Sequence, residues 1–354
     1  MTINHNYYLD LAFQLAEKNL GQTKINPSVG TVVVKNGTVI SSGVTSLNGR
    51  PHSEFNALND VQNCSGATLY TTLEPCTHYG KTPPCVNIII KKKIKNVYYA
   101  FEDPDIRTFK KAKKILNQKG IKSKLIRTKR YSKFYKSYFI NKKLSLPLIT
   151  GKIALSKDYF TISKKNKWIT NKTSRNVVHL LRSRYDCILS TSKSINNDNS
   201  LLNCRLDGLN NNKPDLFIID LKLKLKKKLS LNKYLKKRKT YLVTSIKNFN
   251  KVSVYKKKGF NVIFINQLNK KKDFNLLFKK IYKKGYSRVL IESGLTFLNN
   301  LIKNKLIHEL YIFKSVKKLG KNGKNNDTIN YLKKIFPKPL TINLNGDNLF
   351  KKEF

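Results

Sequence analysis

Residues 50–54, Arg-Pro-His-Ser-Glu, and residues 71–85, Thr-Thr-Leu-Glu-Pro-Cys-Thr-His-Tyr-Gly-Lys-Thr-Pro-Pro-Cys, decide how this chain is read. They supply one imidazole, His52, and two thiols, Cys76 and Cys85. That is the protein donor set of a zinc site that keeps its fourth position for water. Glu54, two residues past the histidine, is expected to shuttle protons for that water rather than to bind the metal. A lone histidine or a lone pair of cysteines is usually packing. A histidine and glutamate at an expected helix start, followed by Glu-Pro-Cys at a strand-to-helix turn and a second cysteine, is far more specific.

Working outward, residues 7–20 place Tyr8, Leu11, Ala12, Leu15 and Ala16 on one helical stripe. Runs at 31–34 and 38–41 are β-rich and joined by Asn36-Gly37, a strong hairpin signal. A helix is expected from His52 through Phe55, Leu58 and Val61, then a strand at 67–72 and a helix at 84–92. A strand at 97–101 and a helix at 109–120 closed by Gly120 follow. The order makes an α/β layer with the metal motifs at helix N-termini, where the macrodipole favours thiolate. A basic aromatic segment, 130–147, leads to a second α/β region. Its expected strands are 148–154, 187–191, 216–220, 241–244, 262–265, 289–291 and 310–313, with helices at 173–184 and 274–283. The boundary is placed near Leu146, giving domains 1–146 and 147–354. The lysine-rich stretch 222–239 reads as a strand end plus a solvated loop, and 321–328 as a loop.

The composition sets limits on the class. A chain of 354 residues exceeds a typical single core, so two domains are expected. No run approaches the ~18 apolar residues of a membrane-spanning helix. The first residues lack a basic stretch before an apolar one, so no secretory signal is expected. Five cysteines, an odd number with two in the metal-like motif, fit a reducing, cytoplasmic setting. Cys64, Cys187 and Cys204 read as small core residues. The net charge of +51 comes mostly from lysines spread over the whole chain beside abundant Asn, Ile and Tyr. That is a compositional bias without an RNA-binding motif, so no specific nucleic-acid partner is expected. The positive field favours small anionic ligands instead.

H-x-E followed by P-C and a later cysteine is the signature of zinc deaminases acting on nucleobases. NPSVG (26–30), GRPHSE (49–54) and residues 71–85 resemble, more narrowly, the deaminase half of the bifunctional riboflavin-biosynthesis deaminase/reductase family. The eight residues between Cys76 and Cys85, instead of two, are part of that likeness. They go with a small phosphorylated pyrimidine substrate rather than a polynucleotide. The resemblance implies a three-layer, cytidine-deaminase-like α/β domain followed by a dihydrofolate-reductase-like domain. It implies one Zn2+ on His52, Cys76 and Cys85, Glu54 as catalytic acid/base, and Asn26, His78 and Lys81 as substrate contacts. Gly43-Val44-Thr45 stands where the family has G-x-H, so a ring contact is expected to be lost or replaced by the Thr45 hydroxyl.

The second half shows no G-x-G-x-x-G fingerprint. Read alone, it offers only Ile291-Glu292-Ser293-Gly294 at a strand-to-helix turn, where backbone N–H groups suit a phosphate. KIALSKD (152–158), KWIT (167–170), residues 175–191, INNDNSLLNCR (195–205) and LIESG (290–294) resemble the family's reductase domain in order and spacing. The resemblance implies NADPH, with Ala154, Trp168, Ser194, Asp198, Gly294, Leu295 and Thr296 lining its site. Asn166, Arg182, Leu202, Arg205 and Glu292 would line the sugar-phosphate site. Lys157 and Tyr159 replace Leu and Gly of the family motif, Asp198-Asn199-Ser200 replaces D-D-P, and Leu221 replaces a polar residue. Tyr159 is expected to crowd the turn near the cofactor. The activity implied is hydrolytic deamination of 2,5-diamino-6-(5-phosphoribosylamino)pyrimidin-4(3H)-one, then NADPH-dependent reduction of its ribosyl group to ribityl. The rivals are a deaminase with a degenerate second domain and a basic RNA-binding protein on a deaminase scaffold. A homo-oligomer is left open.

Overall fold

The structure is a computed structural model that describes residues 4–209, 214–325 and 337–354. It divides into two compact units, Met1–Leu146 and Pro147–Phe354. In chain order the first contains α1 (His5–Lys18), β1 (Gly30–Lys35), β2 (Thr38–Val44), α2 (Ser53–Leu58), β3 (Thr68–Thr71), α3 (Cys85–Lys91), β4 (Asn96–Tyr99), α4 (Lys111–Gln118), β5 (Lys122–Leu125) and α5 (Lys136–Leu144). Its sheet runs β2-β1-β3-β4-β5, with β1 antiparallel to both neighbours and β3, β4 and β5 parallel.

Strand alternation builds the three layers. Val33, Leu69 and Val97 point to one face and pack with Ala57, Val86, Ile89 and Leu116 of α2, α3 and α4. Val32, Val34, Tyr70 and Tyr98 point to the other and pack with Leu9, Phe13, Tyr135 and Tyr138 of α1 and α5. The hairpin between β1 and β2 turns on Asn36 and Gly37, both with positive φ (51° and 77°). Gly43 has a different duty. A Cβ there would meet the Ser53 carbonyl oxygen at 2.4 Å and the Ala57 nitrogen at 2.6 Å. Its bare backbone lets α2 lie directly on β2, which seats His52 and Glu54 at the sheet. α2 ends at Leu58 rather than reaching Val61; beyond it the carbonyls of Asn59 and Val61 accept from the Lys92 ammonium at 3.2 and 2.8 Å.

The second unit contains β6 (Leu148–Leu155), β7 (Ile162–Ser163), α6 (Lys172–Ser183), β8 (Cys187–Thr191), α7 (Ser192–Asp198), β9 (Asp215–Ile219), β10 (Thr240–Ser245), α8 (Ser253–Lys257), β11 (Asn261–Ile265), α9 (Lys271–Lys283), β12 (Arg288–Ile291), α10 (Leu295–Lys303), β13 (Glu309–Lys314), β14 (Gly323–Lys324) and β15 (Asn348–Glu353). Eight of these strands form one sheet in the order β11-β10-β9-β8-β12-β6-β13-β15, parallel except for the β13–β15 pair. The stretch 222–239 is not simply solvated. Leu225, Leu229 and Leu231 enter the core. Arg238 is buried, and its guanidinium donates to the carbonyls of Leu201, Leu202 and Pro214. The expected loop at 321–328 opens at the end of a 3-10 turn (Gly320–Asn322), continues through β14 and then passes outside the described residues.

Candidate active sites

His52 is the N-cap residue of α2, with extended backbone, and Cys85 is the first residue of α3. Cys76 lies in the turn between β3 and α3, where the Cys85 amide donates to its sulfur at 3.2 Å. The candidate ligand atoms of His52, Cys76 and Cys85 all lie within 4.8 Å of one another. The two sulfurs stand 3.6 and 3.4 Å from His52 Nδ1. Tetrahedral bonds of about 2.3 Å to sulfur and about 2.0 Å to nitrogen put such atoms roughly 3.6 Å apart, so the donor set fits zinc in spacing as well as in kind. Hydrogen bonding from the Cys85 thiol, opposed by burial and helped by His52, lowers the Cys76 thiol to about 4. The thiolate a metal needs is therefore favoured in place.

Glu54 is buried and does not belong to that ligand cluster. Its Oε2 accepts a hydrogen bond from Ser53 Oγ at 3.0 Å, and Ser53 Oγ is 2.8 Å from Thr31 Oγ1. Burial, reinforced by Cys76, raises the Glu54 carboxyl above the usual range. His78 lies beyond the metal turn with Nδ1 3.0 Å from Thr108 Oγ1. Lys81 is exposed within the insert. Asn26 uses its amide nitrogen on the Gly49 carbonyl at 2.9 Å, fixing the loop that leads to His52. Arg50, which the motif reading passed over, donates to Thr82 Oγ1 at 2.5 Å and lies 3.3 Å from His52 Nε2. It ties the histidine segment to the insert. Thr45 does not take over a ring contact. It is buried, and its hydroxyl accepts from the Val29 amide at 3.0 Å and lies 3.4 Å from the Val29 carbonyl. Its polar atom is spent on the backbone.

In the second unit Arg182, on α6, and Glu292, just after β12, form a two-pronged ion pair at 2.6 and 3.0 Å. Lys152 on β6 approaches the same carboxylate at 3.6 Å, and Asp198 at the end of α7 lies within its electrostatic reach. Burial pushes the Glu292 carboxyl up, but Arg182 and Lys152 outweigh it and bring it to about 2. His179 joins the group through the Asn203 carbonyl at 3.1 Å and the Arg205 amide at 3.3 Å. Arg205 itself is exposed and donates to Asn203 Oδ1 at 2.6 Å. Lys152 and His179 were not assigned roles on sequence. Lys152 opens the KIALSKD motif on a strand otherwise apolar around it, which was the available signal. Leu202 turns its side chain into the core, so only its backbone is left to line a site. Asn166 is exposed, its amide bonded to Ser163 Oγ.

Ser194 and Gly294 are brought together: the Gly294 amide donates to Ser194 Oγ at 2.9 Å. Gly294 caps α10, and Leu295 and Thr296 form its first turn. A helix N-terminus of this kind is suited to a cofactor phosphate without a Rossmann loop. Ala154 lies on β6 beside this region's central strands, and Trp168 is exposed, with the Arg175 guanidinium 4.9 Å from its ring. Tyr159 takes the left-handed backbone a glycine would suit (φ 69°), and its ring lies under the Lys314 ammonium at 4.0 Å.

Residues 2–101 match the cytidine and deoxycytidylate deaminase zinc-binding region, and residues 147–327 match the RibD C-terminal domain. The riboflavin biosynthesis protein RibD of Aquifex aeolicus is 32% identical over 317 residues, 88% of this chain and 87% of its own. RibD of Buchnera aphidicola is 32% identical over 364 residues, 98% of this chain and 94% of its own. This chain belongs to the RibD family. A crystal form of Acinetobacter baumannii RibD superposes with TM-score 0.84 at 26% identity, covering 98% of both chains. The RibD assignment gives the first unit a cytidine-deaminase-like fold and the second a dihydrofolate-reductase-like fold, and makes the chain a bifunctional deaminase and reductase of riboflavin biosynthesis. Zinc and NADPH are the cofactors of the two halves. The two rival readings are not favoured. No helix among the described residues is long and apolar enough to cross a membrane.

Proposed function

We propose that the first unit deaminates 2,5-diamino-6-(5-phosphoribosylamino)pyrimidin-4(3H)-one and that the second reduces the ribosyl group of the product to ribityl. The observation that carries this is the convergence of His52 Nδ1 and the two cysteine sulfurs beside a buried, non-ligating Glu54. A solved relative from Thermotoga maritima, 25% identical with TM-score 0.81, is described as a diaminohydroxyphosphoribosylaminopyrimidine deaminase/5-amino-6-(5-phosphoribosylamino)uracil reductase, which supports the substrate class.

His52, Cys76 and Cys85 would hold zinc, which would supply a Lewis acid that makes water acidic enough to attack at neutral pH. Glu54 takes the first proton of the attacking water and gives it to the ring nitrogen; it then carries the second, from the hydroxyl left on the ring carbon, to the amino group, which departs as ammonia. Its raised affinity for protons suits a group that must both accept and give. Ser53 holds Oε2 of Glu54 and so orients the carboxyl. Asn26 and His78 hold the pyrimidine and Lys81 its phosphate. In the second unit NADPH would supply the hydride. Ser194 and the start of α10 hold its phosphates, with Ala154, Trp168 and Asp198 along its length. Arg182, Arg205, Asn166 and the Leu202 backbone hold the sugar phosphate. Glu292 fixes Arg182 and Lys152, and the Lys152 ammonium gives the proton that accompanies the hydride.

The test supplies the purified protein with substrate, with and without NADPH, and identifies products by mass. Glu54→Gln is expected to keep zinc and fold, to release no ammonia, and still to reduce the deaminated intermediate. Deamination by that variant at near the unmodified rate would remove Glu54 from its role.

A further inference from the structure

Glu74 precedes Pro75-Cys76 by one residue and is almost fully buried, 2% exposed, yet no step above uses it. Its carboxylate accepts three backbone N–H groups from a distant segment: Asp103 at 3.2 Å, Lys110 at 3.1 Å and Ala112 at 3.1 Å. α4 needs this. Its N-cap residue Lys110 has left-handed backbone (φ 58°) and offers no side-chain cap. The orphan N–H groups that every helix start carries are met here by a carboxylate from another element, the sign the helix dipole favours.

The segment held this way returns to the metal turn. Thr108, fully buried, lies 3.0 Å from His78 Nδ1 and accepts from the Thr77 amide at 3.4 Å. Thr77 Oγ1 donates to the Arg107 carbonyl at 2.9 Å. The far side of the segment is fixed by Tyr138, which donates to Asp103 at 3.0 Å, and by Arg107 and Lys142, which grip Asp105 at 2.6 and 2.7 Å. One carboxylate thus joins the turn that presents Cys76 to the segment that steadies His78. When Thr108 gives its proton to Nδ1, the other ring nitrogen carries hydrogen and is left as a donor.

We propose that Glu74 is a positioning residue of the deaminase site: it anchors residues 103–112 and, through Thr108, sets the His78 ring for the substrate. This rests on the reading of His78 as a substrate contact.

Three variants of the full chain separate the steps. Glu74→Gln replaces an acceptor of three N–H groups by an amide whose nitrogen opposes them. Thr108→Val keeps the shape and the Glu74 bonds but loses the hydroxyl. His78→Ala removes the ring. Amide exchange at Asp103, Lys110 and Ala112 is expected to accelerate at least about tenfold in Glu74→Gln and to stay unchanged in Thr108→Val. Both are expected to raise the deaminase KM about tenfold with kcat within about threefold, as lost positioning of a binding group does. Bound zinc and the NADPH-dependent step should not change. Unchanged exchange in Glu74→Gln overturns the proposal, as does loss of zinc in step with activity. If His78→Ala raises KM but Thr108→Val does not, the link through Thr108 is wrong and the proposal falls. If His78→Ala leaves KM unchanged while exchange accelerates as expected, the anchor stands and it is the substrate role of His78 that fails.

Discussion

Glu292 shows how one side chain answers to partners far away in sequence. It is 8% exposed, yet Arg182 and Lys152 keep it ionised down to about pH 2. A carboxyl whose folded value lies below its unfolded one, about 4.3, stabilises fully above the unfolded value and loses that contribution as pH falls toward the folded one. The contribution is about 3 kcal/mol at neutral pH. Glu292→Gln should therefore unfold more easily at pH 7, while the gap to the unmodified protein closes between about pH 4 and 2. Trp168 is the sole tryptophan and lies in the second unit, so its fluorescence in urea titrations reads that unit. A gap that is constant with pH would mean that the carboxylate is not held ionised by its partners. Of these three residues, Arg182 and Glu292 were legible in the sequence, through the family motifs. Lys152 was one lysine among many until β6 and β12 were paired.

At the scale of elements, α6 depends on a cap that is also a tie. Asn171 Oδ1 accepts from the Ser174 amide at 2.8 Å, while its Nδ2 donates to the carbonyls of Leu344 at 2.6 Å and Asn345 at 3.1 Å. Asn171→Ala should cost about 1–2 kcal/mol, the usual price of a lost N-cap, read as a lower urea midpoint of Trp168 fluorescence with unchanged slope. No loss would mean that water replaces all three bonds. The periodic elements were readable: the hairpin on Asn36-Gly37, the apolar strands of the second sheet, the stripe of α1. β5 was not, because Lys122-Ser-Lys-Leu125 buries only Ser123 and carries no β-rich run. β15 was missed for a similar reason: Asn348–Glu353 is lysine-rich and becomes a strand by pairing with β13. α10 was expected only as the helix that follows the turn at Gly294, without bounds; it runs from Leu295 to Lys303 behind a glycine that offers no side-chain cap.

For the whole molecule the charge of +51 is the property most open to misreading. Binding to RNA is expected to be independent of sequence and to weaken steeply as salt rises, with a log–log slope set by the number of phosphates neutralised. Filter binding of two unrelated RNAs at low and physiological ionic strength checks this. Tight, selective binding at the higher salt would restore an RNA role. What the sequence by itself determined was the chemistry of the first site and the two-part α/β plan. Zinc hydrolysis admits few residue types, and their spacing is set by local strand-to-helix turns. Strand periodicity is likewise local. What only the tertiary structure decided were the contacts between distant segments: Glu74 under α4, Thr45 turned to Val29, Arg238 among carbonyls, and Lys152 and His179 gathered around Arg182 and Glu292. Each pairs common residue types across long stretches of chain. Apart from the apolar strand around Lys152, their local sequence does not distinguish them from solvated neighbours until burial makes polar atoms find partners.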